Sequence, residues 1–103
     1  MSLSFLAACI QLNSKRDIQS NIPDILSLVD DALGSGAEFI SLPECTCMIE
    51  PDRQLLRKKA LAESDHPVLS AIREKAATGS AWILIGSLAI RLHNGTIANR
   101  SYL

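Results

Sequence analysis

The sequence has few aromatic residues, almost no net charge and no long apolar run, and each absence excludes a class of protein. Phe, Trp and Tyr make up 4% of the 103 residues, so a core must come mainly from Leu, Ile, Val and Ala. The formal net charge of -1 gives no basic surface of the kind that binds nucleic acid. No apolar run approaches the roughly 20 residues of a membrane span. We therefore predict neither a nucleic-acid partner nor a membrane partner.

Cysteine is also scarce, and its number and spacing bear on the cellular compartment. Three cysteines without the spacing of a disulfide framework favour a reducing, cytoplasmic setting. The apolar N-terminus lacks the preceding basic residues of a secretory signal, because Lys15 and Arg16 come after the apolar run. We interpret residues 3–12 as a first strand that is apolar, and covered, on both faces. The chain length favours a single domain over residues 1–103.

A strand–helix–strand unit occupies the first half of the sequence. Apolar residues from Ile18 to Leu33 recur at helical spacing, with Asp17 as a candidate N-cap and Gly34–Gly36 as the end. Pro23 falls within this segment and favours an irregular first turn. Residues 37–42 form a short second strand. Two strands joined tightly through one helix predict a right-handed unit with parallel strands.

The second half predicts a weak basic helical stretch, then a further helix and two antiparallel strands. Asp65 or Ser64 can cap the further helix, with Pro67 in its first turn and Gly79 at its end. A long apolar strand over residues 81–92 is interrupted by Gly86-Ser87, a pair that can mark a close approach of another backbone segment. Asn94-Gly95 is a strong hairpin signal, and residues 97–103 follow as the returning strand. The predicted order is β-α-β-α-β-β, in the α/β class.

The stretch "ISLPECTC" places an acid just past the end of the second strand. Ligands of open α/β sheets gather at the carboxyl ends of parallel strands, and Glu44 is expected at that edge. A carboxylate near apolar strands can act as a general base. A solvated loop acid or a helix-capping acid would have the same local sequence. The residues alone therefore make Glu44 a candidate catalytic group without giving a reaction.

Cys45 and Cys47 follow this acid in a C-x-C spacing. A zinc site usually takes two separated pairs of ligands, and this sequence has one pair. Either thiol could be a nucleophile with a base beside it, but Glu44 and Cys45 are adjacent and point opposite ways in an extended segment. We interpret Cys45 and Cys47 as semi-buried thiols outside the catalytic set, and we predict no metal and no cofactor.

Three other residues with reactive side chains receive structural interpretations. Cys9 lies in the first strand and is expected in the core. His66 begins a helix, where the dipole would disfavour its protonation, and it is expected at the surface. His93 precedes the Asn-Gly turn and is expected to be exposed.

Five segments occur in an order that resembles the nitrilase, or carbon–nitrogen hydrolase, superfamily. They are "AACIQLNS", a helix containing Asn21, "GSGAEFISLPE", "HPVLSAIREKAATGSAWILIGSLAIR" and "NGTIANRSYL". The similarity runs from residue 3 to residue 103 and looks like the start of the amidase and omega-amidase-like branches.

The resemblance implies the N-terminal part of an α-β-β-α sandwich, incomplete as a stand-alone fold. It also implies a site of a Glu, a Lys and a Cys, in which the Cys attacks an amide or nitrile carbon and the Glu takes the thiol proton. Only Glu44 matches a position of that site. The Lys follows a strand similar to "NRSYL", and the Cys comes later still, so neither has a counterpart in residues 1–103.

Three interpretations follow from these features. The first is a fragment of a hydrolase that cleaves non-peptide C–N bonds of small amides or nitriles, inactive by itself because it carries only Glu44. The second is a non-catalytic, self-associating α/β interaction module whose uncovered sheet edges and apolar faces drive formation of a homo-oligomer. The third is an unrelated flavodoxin-like domain in which Glu44 is incidental. We favour the first, and the first two can both hold.

Overall fold

The computed structural model describes residues 3–103, which form a four-stranded sheet and three α-helices. The strands are β1 (Ala7–Cys9), β2 (Phe39–Leu42), β3 (Trp82–Arg91) and β4 (Ile97–Tyr102), in the spatial order β1-β2-β3-β4. The helices are α1 (Ile18–Gly34), α2 (Arg53–Lys59) and α3 (Pro67–Gly79), with a 3₁₀ turn at Glu63–Asp65. The first three strands are parallel, and β4 is antiparallel to β3. The α/β class and the predicted element order are confirmed, with α2 in the weak basic helical stretch.

One face of the sheet packs against α1 and α3 and forms the core. Ile40 of β2 and Ile83 of β3 are register partners, and both are buried. They belong to the same hydrophobic cluster as Ile25 and Val29 of α1 and Val68 of α3. The apolar stripe that the sequence predicts on the first helix is therefore the surface that covers the sheet.

The opposite face of the sheet is not packed against another layer within residues 3–103. Ala7, Phe39 and Trp82 are register partners one residue out of phase with the buried row, so their side chains point away from the helices. Trp82 is 65% exposed. A sandwich of the kind implied by the resemblance would place a second sheet on this face. We call it the open face.

The first strand is shorter and more exposed than the sequence predicts. It spans Ala7–Cys9, where the apolar pattern predicts a strand over residues 3–12 covered on both sides. Cys9 is exposed, so the prediction of a core position for Cys9 is wrong. The reason is that β1 is an edge strand and Cys9 lies on the open face. Ala8 and Ile10, on the other face, pack against the core.

The start of α1 depends on a different contact from the one that the sequence suggests, whereas its end is as predicted. Asp17 occupies the N-cap position, but its side chain makes no capping hydrogen bond and pairs with Lys59 Nζ at 3.1 Å. The helix runs continuously through Pro23. Gly36, with a φ of 86°, adopts the left-handed conformation that ends the helix. Within residues 3–103, neither α1 nor any other helix combines the length and apolarity needed to cross a membrane.

Candidate active site

Glu44 lies on a turn at the carboxyl edge of the parallel strands. β2 ends at Leu42, Pro43 follows, and Glu44 and Cys45 form the turn. Glu44 is exposed, and its carboxylate makes no hydrogen bond or ion pair with any other residue between 3 and 103. The acid is thus at the edge where the sequence predicts it. A free carboxylate at this edge is available to accept a proton from a group placed next to it.

The backbone of the turn is strained at the residue that follows the acid. Cys45 has a φ of 53°, in the left-handed region that residues other than Gly, Asn and Asp rarely adopt. Such a conformation costs about 1–2 kcal/mol for an ordinary residue. Contacts from outside the turn must therefore hold Cys45 in place.

Gly86 of β3 provides the first of these contacts through a close approach of two backbone segments. A Cβ at Gly86 would lie 2.5 Å from the carbonyl carbon of Pro43 and 2.7 Å from the amide nitrogen of Glu44. No side chain fits there, so only glycine lets the turn rest on β3. The close approach that the sequence predicts at Gly86-Ser87 is confirmed.

Ser87 and Thr46 provide the hydrogen bonds that fix the turn. The amide of Cys45 donates to Ser87 Oγ at 2.8 Å, and the amide of Thr46 donates to the Ser87 carbonyl at 3.0 Å. The Thr46 hydroxyl donates to the Pro43 carbonyl. Ser87 can make both contacts because the register of β3 against β4 shifts between Ile85 and Leu88, which is a bulge. We call Pro43–Thr46 with Gly86-Ser87 the pinned turn.

Asn21 joins the loop after β1 to the loop after β2. Its side chain is buried in α1, accepts a hydrogen bond from the Lys15 amide at 2.7 Å, and donates to the carbonyls of Lys15 and Cys47 at 3.0 and 2.9 Å. The amide of Ile49 also donates to the Lys15 carbonyl at 3.0 Å. These bonds hold both loops at the edge where Glu44 lies.

Glu50 is a second acid close to this edge, but its carboxylate is fully engaged. The side chain is buried and accepts hydrogen bonds from Arg16 Nε at 3.1 Å, Lys59 Nζ at 2.7 Å and the Asp52 amide at 3.1 Å. The hydrogen bonds from Arg16, and then those from Lys59, lower the pKa of Glu50 to about 2. A carboxylate held ionised in this way stabilises the loop and is a poor proton acceptor near neutral pH.

The two cysteines of the C-x-C pair differ sharply in environment. Cys45 is exposed on the pinned turn, whereas Cys47 is completely buried, so the prediction of two semi-buried thiols is wrong for both. Burial raises the pKa of the Cys47 thiol, which opposes formation of the thiolate that a nucleophile requires. The two environments differ because Cys45, in the left-handed conformation, changes the direction of the chain before Cys47. No group of three or more metal-ligating side chains lies together anywhere in residues 3–103.

His66 contradicts its predicted surface position. It is 2% exposed, and neither ring nitrogen has a hydrogen-bond partner within residues 3–103. Burial lowers the pKa of His66. The reason is that the start of α3 packs directly on the core, with Val68 also buried. His93 is exposed at the hairpin turn, so its predicted exposure is confirmed.

Sequence reasoning missed the structural roles of Asn21 and Glu50. A signal for Asn21 exists, because a polar residue on the buried stripe of a helix needs partners. Glu50 gives no such signal, since its partner Arg16 lies 34 positions away in the sequence.

Comparison with known proteins shows the family to which this chain belongs. A family model described as carbon-nitrogen hydrolase matches residues 6–103. The solved structure of the C. elegans NitFhit protein superposes with a TM-score of 0.78 at 20% sequence identity, which shows a shared fold. That match covers 96% of this chain and 28% of the NitFhit chain. No curated protein matches the sequence. Because the family model extends over nearly the whole sequence and the fold agrees with it, this chain belongs to the carbon–nitrogen hydrolase family.

Proposed function

We propose that this chain supplies the general base, Glu44, to a hydrolase that cleaves non-peptide C–N bonds of small amides or nitriles. The observation that supports the proposal is the free carboxylate of Glu44, presented on the pinned turn at the carboxyl edge of the parallel strands. A base requires an unoccupied carboxylate on a backbone that is held in place, and Glu44 has both. Glu50, the other acid near this edge, lacks the second property.

In the proposed reaction, Glu44 removes the proton from a cysteine thiol as the sulfur attacks the amide or nitrile carbon. The negative charge that develops is stabilised by a lysine. Ammonia or an amine leaves directly from an amide, whereas a nitrile first gives a thioimidate, to which water adds before ammonia leaves. Water then releases the acid from the resulting thioester. The nucleophile is neither Cys45 nor Cys47. Cys45 follows Glu44 directly in the chain, and the thiol of Cys47 is buried. We propose that residues 1–103 alone have no turnover, because no Lys and no Cys of this chain matches the family's catalytic positions.

Release of ammonia from small aliphatic amides tests the proposal in two steps. The 103-residue chain should release none, and turnover that disappears in Cys45→Ala or Cys47→Ala would overturn the assignment. In a complete domain that joins this chain to a segment carrying the lysine and the cysteine, Glu44→Gln should lower kcat by about 10²–10⁴-fold, the usual contribution of a general base. The matched control, Glu38→Gln, changes an exposed acid just before β2 and should keep kcat unchanged.

A self-associating module is a second candidate function, favoured by the open face. Trp82 and Phe5 are 65% and 64% exposed. An apolar groove of about 460 Å³ also lies between α3 and the end of β4, lined in part by Leu69 and Leu103. A second copy of the chain could cover these surfaces, in which case the chain forms a homo-oligomer. Light scattering over a range of concentrations tests this, since a constant monomer mass would contradict it.

A cytoplasmic location is also proposed, on the basis of the cysteines. All three thiols are free, as expected in a reducing compartment. The test is to express the chain once in the cytoplasm and once with a secretion signal. We expect the secreted chain to form disulfide-linked aggregates rapidly and the cytoplasmic chain to form none.

A further inference from the structure

We propose that Ser87 is a positioning residue for Glu44, acting through the amide of Cys45. The proposal rests on the proposed function, because position matters to catalysis only if Glu44 is the base. Ser87 is 5% exposed, so its hydroxyl is shielded from water and directed at the pinned turn.

The left-handed conformation of Cys45 makes the turn depend on an outside partner. The only hydrogen bond that the structure gives the Cys45 amide is to Ser87 Oγ, at 2.8 Å. Without that acceptor, the partly buried Cys45 amide would lose its partner within residues 3–103 while the residue stays in a disfavoured conformation, and rotation about φ of Cys45 would relieve both penalties. Such a rotation changes the direction of the chain at Glu44. The hydroxyl of Ser87 therefore decides where the Glu44 carboxylate points.

The hydroxyl can be separated from the other contacts of the pinned turn. The bond from the Thr46 amide goes to the Ser87 carbonyl, which Ser87→Ala retains. The close approach of Gly86 to Pro43 is likewise unchanged by that substitution. Ser87→Ala thus removes one hydrogen bond at Cys45 while the neighbouring anchors remain. A role of Ser87 in the core would instead affect all parts of the sheet alike.

Hydrogen exchange followed by NMR in the 103-residue chain tests the proposal. Ser87→Ala should speed exchange of the Cys45 amide at least tenfold and shift the backbone and carboxyl resonances of Glu44, while amides in the centre of β3 keep their protection. The control Thr78→Ala removes a hydroxyl that bonds only a helix carbonyl, at Glu74, and should leave Cys45 unchanged. Unaltered exchange at Cys45 in Ser87→Ala would overturn the proposal.

A second substitution distinguishes positioning from packing. Asn adopts the left-handed conformation more readily than Cys does, so Cys45→Asn in the Ser87→Ala background should restore the Glu44 resonances towards their original positions. No restoration would contradict a role that acts through Cys45. If both the single and the double variant fail to fold, Ser87 supports the core and the proposal is wrong. Because exchange is measured without substrate, failure of Glu44 as a base in the amidase assay would leave this result standing.

Discussion

At the scale of single residues, Gly86 and Ser87 show how two small side chains set the geometry around a third. Gly86 is required for lack of space, since a Cβ there would lie 2.5 Å from the carbonyl carbon of Pro43. Ser87 contributes two acceptors: its hydroxyl accepts a hydrogen bond from the Cys45 amide, and its carbonyl accepts one from the Thr46 amide. Glu44 itself makes no contact that would hold it. Its position is a property of its neighbours.

Gly86→Ala is expected to destabilise the chain by about 1–3 kcal/mol, the usual cost of forcing an extra carbon into a packed site. The methyl group would lie 2.5 Å from the Pro43 carbonyl carbon, so the turn or β3 must shift. Urea denaturation would show this as a lower midpoint at an unchanged slope. Gly34→Ala, at the end of α1 where no atom lies within 4 Å of the new Cβ, is the control and should not lower the midpoint. Equal losses in the two variants would contradict the account.

At the scale of elements, the loops at the carboxyl edge are joined by the hydrogen bonds and ion pairs of buried polar groups. Asn21 holds the loop after β1 to the loop after β2. Glu50 adds α2 to the same assembly, because its carboxylate bonds Arg16 from the first loop and Lys59 from the helix. The stability of the edge that carries Glu44 therefore depends on the charges of Glu50, Arg16 and Lys59.

The stability of the chain should fall as the pH is lowered from about 4.5 to about 2, in part through Glu50. Its pKa is lowered from 4.5 to about 2 in the folded chain, so the unfolded chain binds the proton first. The stabilisation is complete above pH 4.5 and is lost as the pH falls through the folded value. Thermal melts of Glu50→Gln between pH 6 and pH 2 should show a lower melting temperature at pH 6 and a flatter dependence below 4.5. Glu74→Gln, at an exposed site on α3, is the control and should keep the original slope of melting temperature against pH. If Glu50→Gln keeps that slope as well, Glu50 is not a source of the pH dependence.

At the scale of the whole molecule, residues 3–103 form a sheet with α1 and α3 on one side. The helix-facing rows of β2 and β3 are buried, and the alternate rows form the open face. An apolar surface left open in this way favours association with a second sheet. The chain spans 28% of the length of the NitFhit chain that it matches.

Trp82→Lys is expected to shift the chain from an oligomer towards the monomer. A lysine at the centre of a sheet-to-sheet contact would have to be buried without a partner, which disfavours association. Multi-angle light scattering after size-exclusion chromatography gives the masses of both proteins. Glu74→Lys, at an exposed site on α3 on the helix-covered side of the sheet, is the control and should associate as the original chain does. A monomer in the unmodified chain would show that the open face is not a contact between copies.

The fold could be predicted from the sequence because its signals are local. Each signal depends on a few neighbouring residues. The signals are the helical spacing of Ile25 and Val29, Pro67 at the start of α3, and the Asn94-Gly95 turn. The place of Glu44 at the strand edge followed from the same patterns. Cys9 and His66 were placed wrongly, because alternation in a strand or a helix start does not tell which layers cover it.

The sequence by itself determined the order of helices and strands, the family resemblance and the candidate base. The tertiary structure alone decided that Glu44 sits on a strained turn held by Ser87, that Glu50 is ion-paired with Arg16, and that one sheet face is open. The physical reason is the distance along the chain. Cys45 and Ser87 are 42 positions apart, and Arg16 and Glu50 are 34 apart, so their contacts exist only after the strands pair and the loops meet at one edge.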